Sequence, residues 1–250
     1  MHPIVYYILF FLFLGALGML IANKTTTLTV RRQRWLKYFT YIVFTGAILT
    51  GIFFNFIFWL AWVIVVAAVI ELFIVNSSVT RRQKITAVKT FLIFFPIAAG
   101  FILFSKFFNA SFLLFIYFQV IVFDGFCQIT GQLFGKHQLI RAISPSKTVE
   151  GLIGGGICCI IAALMAANWV HLSLYTAFLF GIVTSFTSFC GDLLASWNKR
   201  KKNIKDYSNW LPGQGGFLDR FDSLMMTGAV YYILQLVIFT HYFNFLTDTR

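Results

Sequence analysis

Carboxylates are scarce in this chain, and three of them are spaced to share a site. Among 250 residues there are only eight: Glu71, Asp124, Glu150, Asp192, Asp206, Asp219, Asp222 and Asp248. Helical spacing of four places Ser188, Asp192 and Ser196 on one face, and Asp219 and Asp222, three apart, share another. Two helix ends could therefore aim Asp192, Asp219 and Asp222 at one point. Ligands made only of oxygen, with no His or Cys beside them, suit Mg²⁺ rather than Zn²⁺. The competing reading is a structural ion-pair network with Lys199, Arg200 and Arg220. Between these groups runs Leu211-Pro-Gly-Gln-Gly-Gly216, whose glycines let backbone approach a ligand closely. It lacks the spacing of a Walker loop. Glu71 and Asp124 lie in strongly apolar sequence, where an ionisable group costs about 2.5–3.5 kcal/mol and marks a functional candidate. For Glu71 the alternative is a carboxyl that locks two helices together.

The elements that must position these groups are membrane spans. Hydrophobic residues make up 59% of the chain and charged residues 11%, with 32 Phe and 6 Trp; soluble domains are roughly half apolar and a quarter charged. A span needs about 20 apolar residues, and eight are predicted: 3–22, 38–54, 56–75, 88–104, 110–130, 151–168, 172–194 and 223–245. The run from Tyr38 to Val75 is divided by a turn near Asn55. Gly154-Gly155-Gly156 reads as a site of close helix packing. With the N-terminus outside, the inner loops are 23–37, 76–90, 131–150 and 195–222, and they hold eighteen of the twenty Lys and Arg residues. Lys106 and Arg250 are the exceptions. Positive charge gathers on the cytoplasmic side, so the net charge of +12 speaks for membrane topology and against nucleic-acid binding. Residues 1–22 lack a basic n-region and read as an uncleaved first span. Cys127, Cys158, Cys159 and Cys190 show neither CxxC spacing nor a disulfide pattern, and His137 reads as a solvated surface group. The expected fold is an all-α integral membrane protein, a polytopic helix bundle of about eight transmembrane helices with its N-terminus outside. The chain reads as one transmembrane domain, 1–250.

Together these residues carry a family resemblance. The stretch Ser196-Trp-Asn-Lys199-Arg200-Lys-Lys-Asn-Ile-Lys205-Asp206-Tyr-Ser208-Asn-Trp-Leu211-Pro212-Gly213-Gln214-Gly215-Gly216-Phe-Leu-Asp219-Arg220-Phe-Asp222 resembles the signature of the phosphatidate cytidylyltransferases. A second stretch is similar to the same family: Asp124-Gly125, Gly131, Phe134-Gly135-Lys136, and Ser144-Pro145-Ser146-Lys147-Thr148-Val-Glu150-Gly151. Glu71 resembles the family's acidic residue in an early span, and Gly191-Asp192 its Gly-Asp pair. The likeness covers roughly residues 60–245, implying a catalytic core at 61–245 and peripheral spans at 1–60. One position departs: the family usually has His where this chain has Gln214, which can hydrogen-bond but cannot carry a proton as an imidazole does.

The resemblance implies transfer of CMP from CTP to phosphatidate, giving CDP-diacylglycerol and pyrophosphate, in phospholipid synthesis. It implies Mg²⁺ held by Asp192, Asp219 and Asp222, with room for a second monovalent or divalent cation. Asp219, Asp192, Lys205, Asp206 and Arg220 are the expected catalytic residues. Ser144, Lys147, Ser196, Lys199, Arg200, Gly213, Gln214, Gly215, Gly216 and Asp124 are the expected substrate-binding ones, and an intramembrane opening near Asp124 would admit the lipid sideways. Expected partners are CTP, phosphatidate or a related lipid phosphate, and membrane lipids, with a homodimer as one possible assembly. The expected location is a bacterial inner membrane, with the site facing the cytoplasm. Two alternatives stand beside this reading: the same chemistry on a different lipid phosphate, prompted by Gln214, and a non-catalytic scaffold or transporter using Glu71 and Asp124.

Overall fold

The computed structural model describes residues 4–24, 26–77, 81–211 and 215–239. Eight long helices account for most of them: α1 (Ile4–Ala22), α2 (Leu28–Phe53), α3 (Ile57–Ser77), α4 (Arg81–Phe107), α5 (Ala110–Phe134), α6 (Val149–Ala166), α7 (Leu174–Lys201) and α8 (Phe217–Leu234). The first seven are long and apolar enough to cross a membrane. In its first two turns α8 carries Asp219, Arg220 and Asp222, and it continues as a π-helical turn, Gln235–Phe239. The protein is a polytopic, all-α integral membrane protein, and the strands among the described residues form one short hairpin, β1 (Gln138–Ile140) with β2 (Ser144–Thr148).

Several helices outrun the spans predicted from apolarity. α2 starts at Leu28 rather than 38, α4 at Arg81 rather than 88, and α7 ends at Lys201 rather than 194. The physical reason is that hydropathy marks the hydrocarbon slab, whereas basic residues are good helix formers and extend a helix past the slab. The turn between α2 and α3 falls at Asn55, as its sequence suggests. Asn55 takes the left-handed conformation (φ 59°), Phe56 N–H donates to Gly51 C=O at 2.9 Å, and Asn55 N–H donates to Ile52 C=O at 3.3 Å, a Schellman ending.

The chain forms two compact units, Met1–Phe39 with Ser111–Phe189, and Thr40–Ala110 with Cys190–Arg250. The first is built on α5, whose residues Phe112–Phe123 are all buried. α6 approaches it closely, because Gly155 faces Cys127 and Gly154 faces Thr130 with no room for a Cβ at either glycine. The hairpin is tied to the start of α6. Thr148 caps that helix through Gly151 N–H (3.1 Å), and the Glu150 carboxylate accepts from Lys136 N–H at 3.1 Å and His137 N–H at 3.3 Å. His137 Nδ1 lies 2.6 Å from Glu150 Oε1. The His137 ring is exposed, as its sequence suggests, but it is held by Glu150 rather than simply solvated.

The second unit packs α4 on α8. Gly100 sits directly against Ala229, and Gly228 against Phe101 and Phe104. Its centre is Glu71 on α3, fully buried.

Candidate active site

The site in the second unit starts with how α7 stops. The run Lys199-Arg200-Lys201-Lys202-Asn203-Ile204 ends the helix with Asn203 left-handed (φ 56°). Ile204 N–H donates to Lys199 C=O and Asn203 N–H to Arg200 C=O, both at 3.1 Å, the second Schellman ending in this unit. Asn tolerates this backbone better than branched residues. Arg200 clamps the turn through Ile204 C=O (3.2 Å). The chain therefore reverses onto its own helix and brings Tyr207 back beside Lys199.

Lys199 and Asp219 form a buried ion pair, the side chains 11% and 4% exposed. Asp219 also accepts from Tyr207 N–H at 2.8 Å and from Gly216 N–H at 2.9 Å. One carboxylate thus joins the end of α7, the returning loop and the start of α8. The Lys199 ammonium lies within the electrostatic reach of Asp219, Asp222 and Asp192, in that order. It also sits 5.6 Å from the Tyr207 ring centre. Asp192 accepts from Ser196 Oγ at 3.3 Å, one helical turn apart. α7 and α8 touch at Gly191, where a Cβ would fall 2.5 Å from the Asp222 carbonyl oxygen. Lys199 is thus paired with Asp219, with Asp222 and Asp192 at longer electrostatic range.

Glu71 supplies the second anchor. Its carboxylate accepts from Ser208 Oγ (2.6 Å), Phe217 N–H (2.8 Å) and Leu218 N–H (2.9 Å). Helix N-termini present unpaired N–H groups and positive potential, so a carboxylate aimed at them is stabilised even inside a membrane protein. Of the two sequence readings, locking of elements is the one this geometry supports. No Cβ fits at Gly216, since it would lie 2.5 Å from both Glu71 oxygens. Gly215 adopts φ +84°, and a side chain there would meet Asp219 Oδ2 at 2.8 Å. Across the loop, Leu211 N–H donates to Gly215 C=O at 2.9 Å.

A polar relay supports Tyr207. Thr90 Oγ1 donates to Asn198 Oδ1 and Asn198 Nδ2 donates to Tyr207 Oη, each at 2.7 Å. Tyr207 Oη in turn donates to Ala195 C=O at 3.3 Å. Burial pushes the Tyr207 phenol well above its usual range, so it stays neutral and donates. Thr90, Asn198, Tyr207 and Ser208 were not singled out as site residues. Three of them stand inside the family signature; Thr90, far away in sequence, carries no such signal.

The remaining candidates are spread more widely. Arg220 stacks on Tyr41, its guanidinium carbon 4.5 Å from the ring centre. Lys205 and Asp206 are exposed on the returning loop, with the Asp206 Cβ beside Gly215. Gly213 and Gln214 lie outside the described residues. Asp124, Ser144 and Lys147 belong to the first unit: Asp124 is half-buried on α5, Ser144 is buried on β2, and the Lys147 ammonium lies 5.2 Å from the Phe189 ring centre.

The donor chemistry of the second unit fits a hard cation: oxygen ligands and an excess of negative charge around Lys199. Yet among the described residues no three of His, Cys, Asp and Glu are drawn together as a ligand set. Asp219 is engaged with Lys199 and two N–H groups instead. The charge for a divalent ion is present, and the three-carboxylate cage is not assembled.

Residues 2–238 match the family model described as the cytidylyltransferase family. The chain belongs to the cytidylyltransferase family. Among its relatives, the phosphatidate cytidylyltransferase of Staphylococcus saprophyticus is 40% identical over 129 residues, 51% of this chain and 50% of that protein. The phosphatidate cytidylyltransferase of Aquifex aeolicus is 35% identical over 147 residues, 58% of this chain and 56% of its own. An uncharacterized protein of Escherichia coli, YnbB, is 40% identical over 103 residues, 41% of this chain and 35% of that one. The chain spans about half the length of the curated relatives it matches.

Proposed function

We propose that this member of the cytidylyltransferase family transfers CMP from CTP to phosphatidate, giving CDP-diacylglycerol and pyrophosphate. The observation that carries the reading is the Lys199–Asp219 pair with Asp192 and Asp222 about it, built from the signature stretch and held by Glu71. An oxygen of the lipid phosphate attacks the α-phosphorus of CTP, the new P–O bond forms, and the α–β phosphoanhydride bond breaks. The nucleophile is already largely ionised, the second pKa of a phosphate monoester being about 6, so the protein need not supply a strong base. Its task is to bring polyanions together and neutralise the leaving pyrophosphate. Lys199, Arg200 and Lys205 are the cations for that task on the α7 side. Ser196 and the backbone of Gly213 to Gly216 add donors. Mg²⁺ belongs to this proposal: Asp192, Asp219 and Asp222 would hold it, and it would offset charge on the departing pyrophosphate.

The same reading puts the four basic loops in the cytoplasm and the N-terminus outside, in a bacterial inner membrane. Its support is the eighteen-to-two division of Lys and Arg, since CTP is a cytoplasmic nucleotide. A second substrate reading, the same chemistry on another lipid phosphate, is favoured by Gln214 in place of the usual His. The test is purified full chain with labelled CTP, Mg²⁺ and a panel of lipid phosphates. The proposal expects labelled CDP-diacylglycerol from phosphatidate; product from a different lipid alone selects the second reading, and no product from any lipid overturns both.

A further inference from the structure

An apolar cleft of about 60 Å³ opens in the second unit between α3, α4, α7 and α8. Its wall runs from Thr90, Asn198 and Asp222 to Ile97, Gly191 and Met226. From Thr90 to Ile97 along α4 is two turns, about 10 Å at 1.5 Å per residue. The polar end therefore belongs to the carboxylate–lysine cluster, and the other end reaches into membrane-spanning sequence. One side is open: Ile93 lines the cleft and is 39% exposed, with its neighbours Leu92 and Phe95 68% and 61% exposed. That face of α4 belongs to a span, so the opening faces lipid. Both α8 wall residues beyond Asp222 are methionines, whose unbranched side chains adapt to irregular apolar occupants.

We infer that this cleft seats one acyl chain of the lipid phosphate, entering sideways past Ile93 with its headgroup at the Asp222 end. The inference rests on the proposed activity and names a subsite for it. A chain in this cleft lies along the same turns of α7 that carry Asp192, Ser196 and Lys199. The phosphate is then delivered to the cluster without the tails leaving an apolar environment, so no buried methylene has to be exposed to water. Asp124, where the sequence places a lipid entrance, belongs to the first unit, and the cleft lined by Ile93 and Ile97 belongs to the second.

The test reads binding directly and needs no turnover. The full chain in detergent is mixed with phosphatidate bearing a photoreactive diazirine midway along one acyl chain, illuminated, digested and mapped. Label concentrated on Ile93–Ile97 and Leu194–Trp197, reduced at least tenfold by excess unlabelled phosphatidate, is the expected result. Label spread over exposed apolar positions such as Trp59 and Phe73, with no competition, would mean ordinary contact with lipid in the micelle and overturn the subsite. Ile97→Trp should remove the competed label by filling the cleft, while thermal stability stays near that of the wild type. If that variant does not fold, Ile93→Trp at the mouth serves the same purpose. Competed label that survives in a folded variant also overturns the inference. A chain that shows competed cleft labelling and yet forms no CDP-lipid keeps the subsite and sinks the activity, so the two failures are separable.

Discussion

Lys199 is 9% exposed and its ammonium is balanced by carboxylates rather than by water. Removing one partner of a buried pair leaves an uncompensated charge and costs about 3–5 kcal/mol. Asp219→Asn should therefore lower stability toward that range, the loss moderated by Asp222 and Asp192, and abolish most transfer activity. Lys199→Met in the Asp219→Asn background should recover part of the stability in a detergent melt while leaving transfer absent. Recovery of activity with stability would show that the pair is only structural. Lys202 follows a different rule. Its ammonium is buried without a hydrogen-bond partner among the described residues, and burial lowers its pKa from 10.5 to about 8. The folded state thus disfavours the protonated form, a penalty fully present below about pH 8 and relieved as pH rises toward 10.5. Lys202→Met should melt higher than wild type at pH 7, with the difference shrinking to nothing near pH 10. At position 214 the account expects hydrogen bonding to phosphate rather than proton transfer. Gln214→His should change the rate by about tenfold or less, within roughly 1.4 kcal/mol, and add pH dependence near 6.5; a thousandfold gain would contradict that role.

Between helices, Glu71 is the joint. It links α3 to the first turn of α8 and, through Ser208, to the loop returning from α7. Glu71→Gln keeps one acceptor oxygen and leaves at least one buried N–H without a partner, an expected loss of about 1–3 kcal/mol. Because that turn carries Asp219, activity at a temperature where the variant is fully folded should fall too. Normal turnover in the folded variant would show that the joint does not position the site. This role was half legible in sequence. An acidic residue amid apolar sequence announced itself, but two of its three partners are backbone N–H groups some 146 positions away, and no side-chain pattern records a backbone donor. The helix endings show the same division. Asn55 was readable as a turn because it interrupts a long apolar run, whereas Asn203 sits among charged residues that also suit a helix. The predicted inner boundary of α7 falls at 194, short of Lys199, because hydropathy marks only where the apolar slab ends. The hairpin was missed because its strands are three and five residues long, too short for an alternating pattern to register.

Across the whole molecule, apolarity and the one-sided distribution of basic residues made the membrane fold legible. The candidate site is read mainly from a signature of fixed spacing. The proposed sidedness is open to a direct check: a cysteine at Asn168, exposed after α6, should react with an impermeant reagent from outside intact cells. One at Lys201 should react only after the membrane is opened, and the reverse pattern would invert the topology. The chemistry itself is tested by following the two ends of the nucleotide separately, using purified protein, phosphatidate, Mg²⁺ and CTP labelled at either the α- or the γ-phosphorus. The account predicts that the α-label enters the lipid and the γ-label leaves as pyrophosphate, and that neither happens with Asp219→Asn. Label entering the lipid from the γ-position, or none entering from either, would contradict cytidylyl transfer at this site.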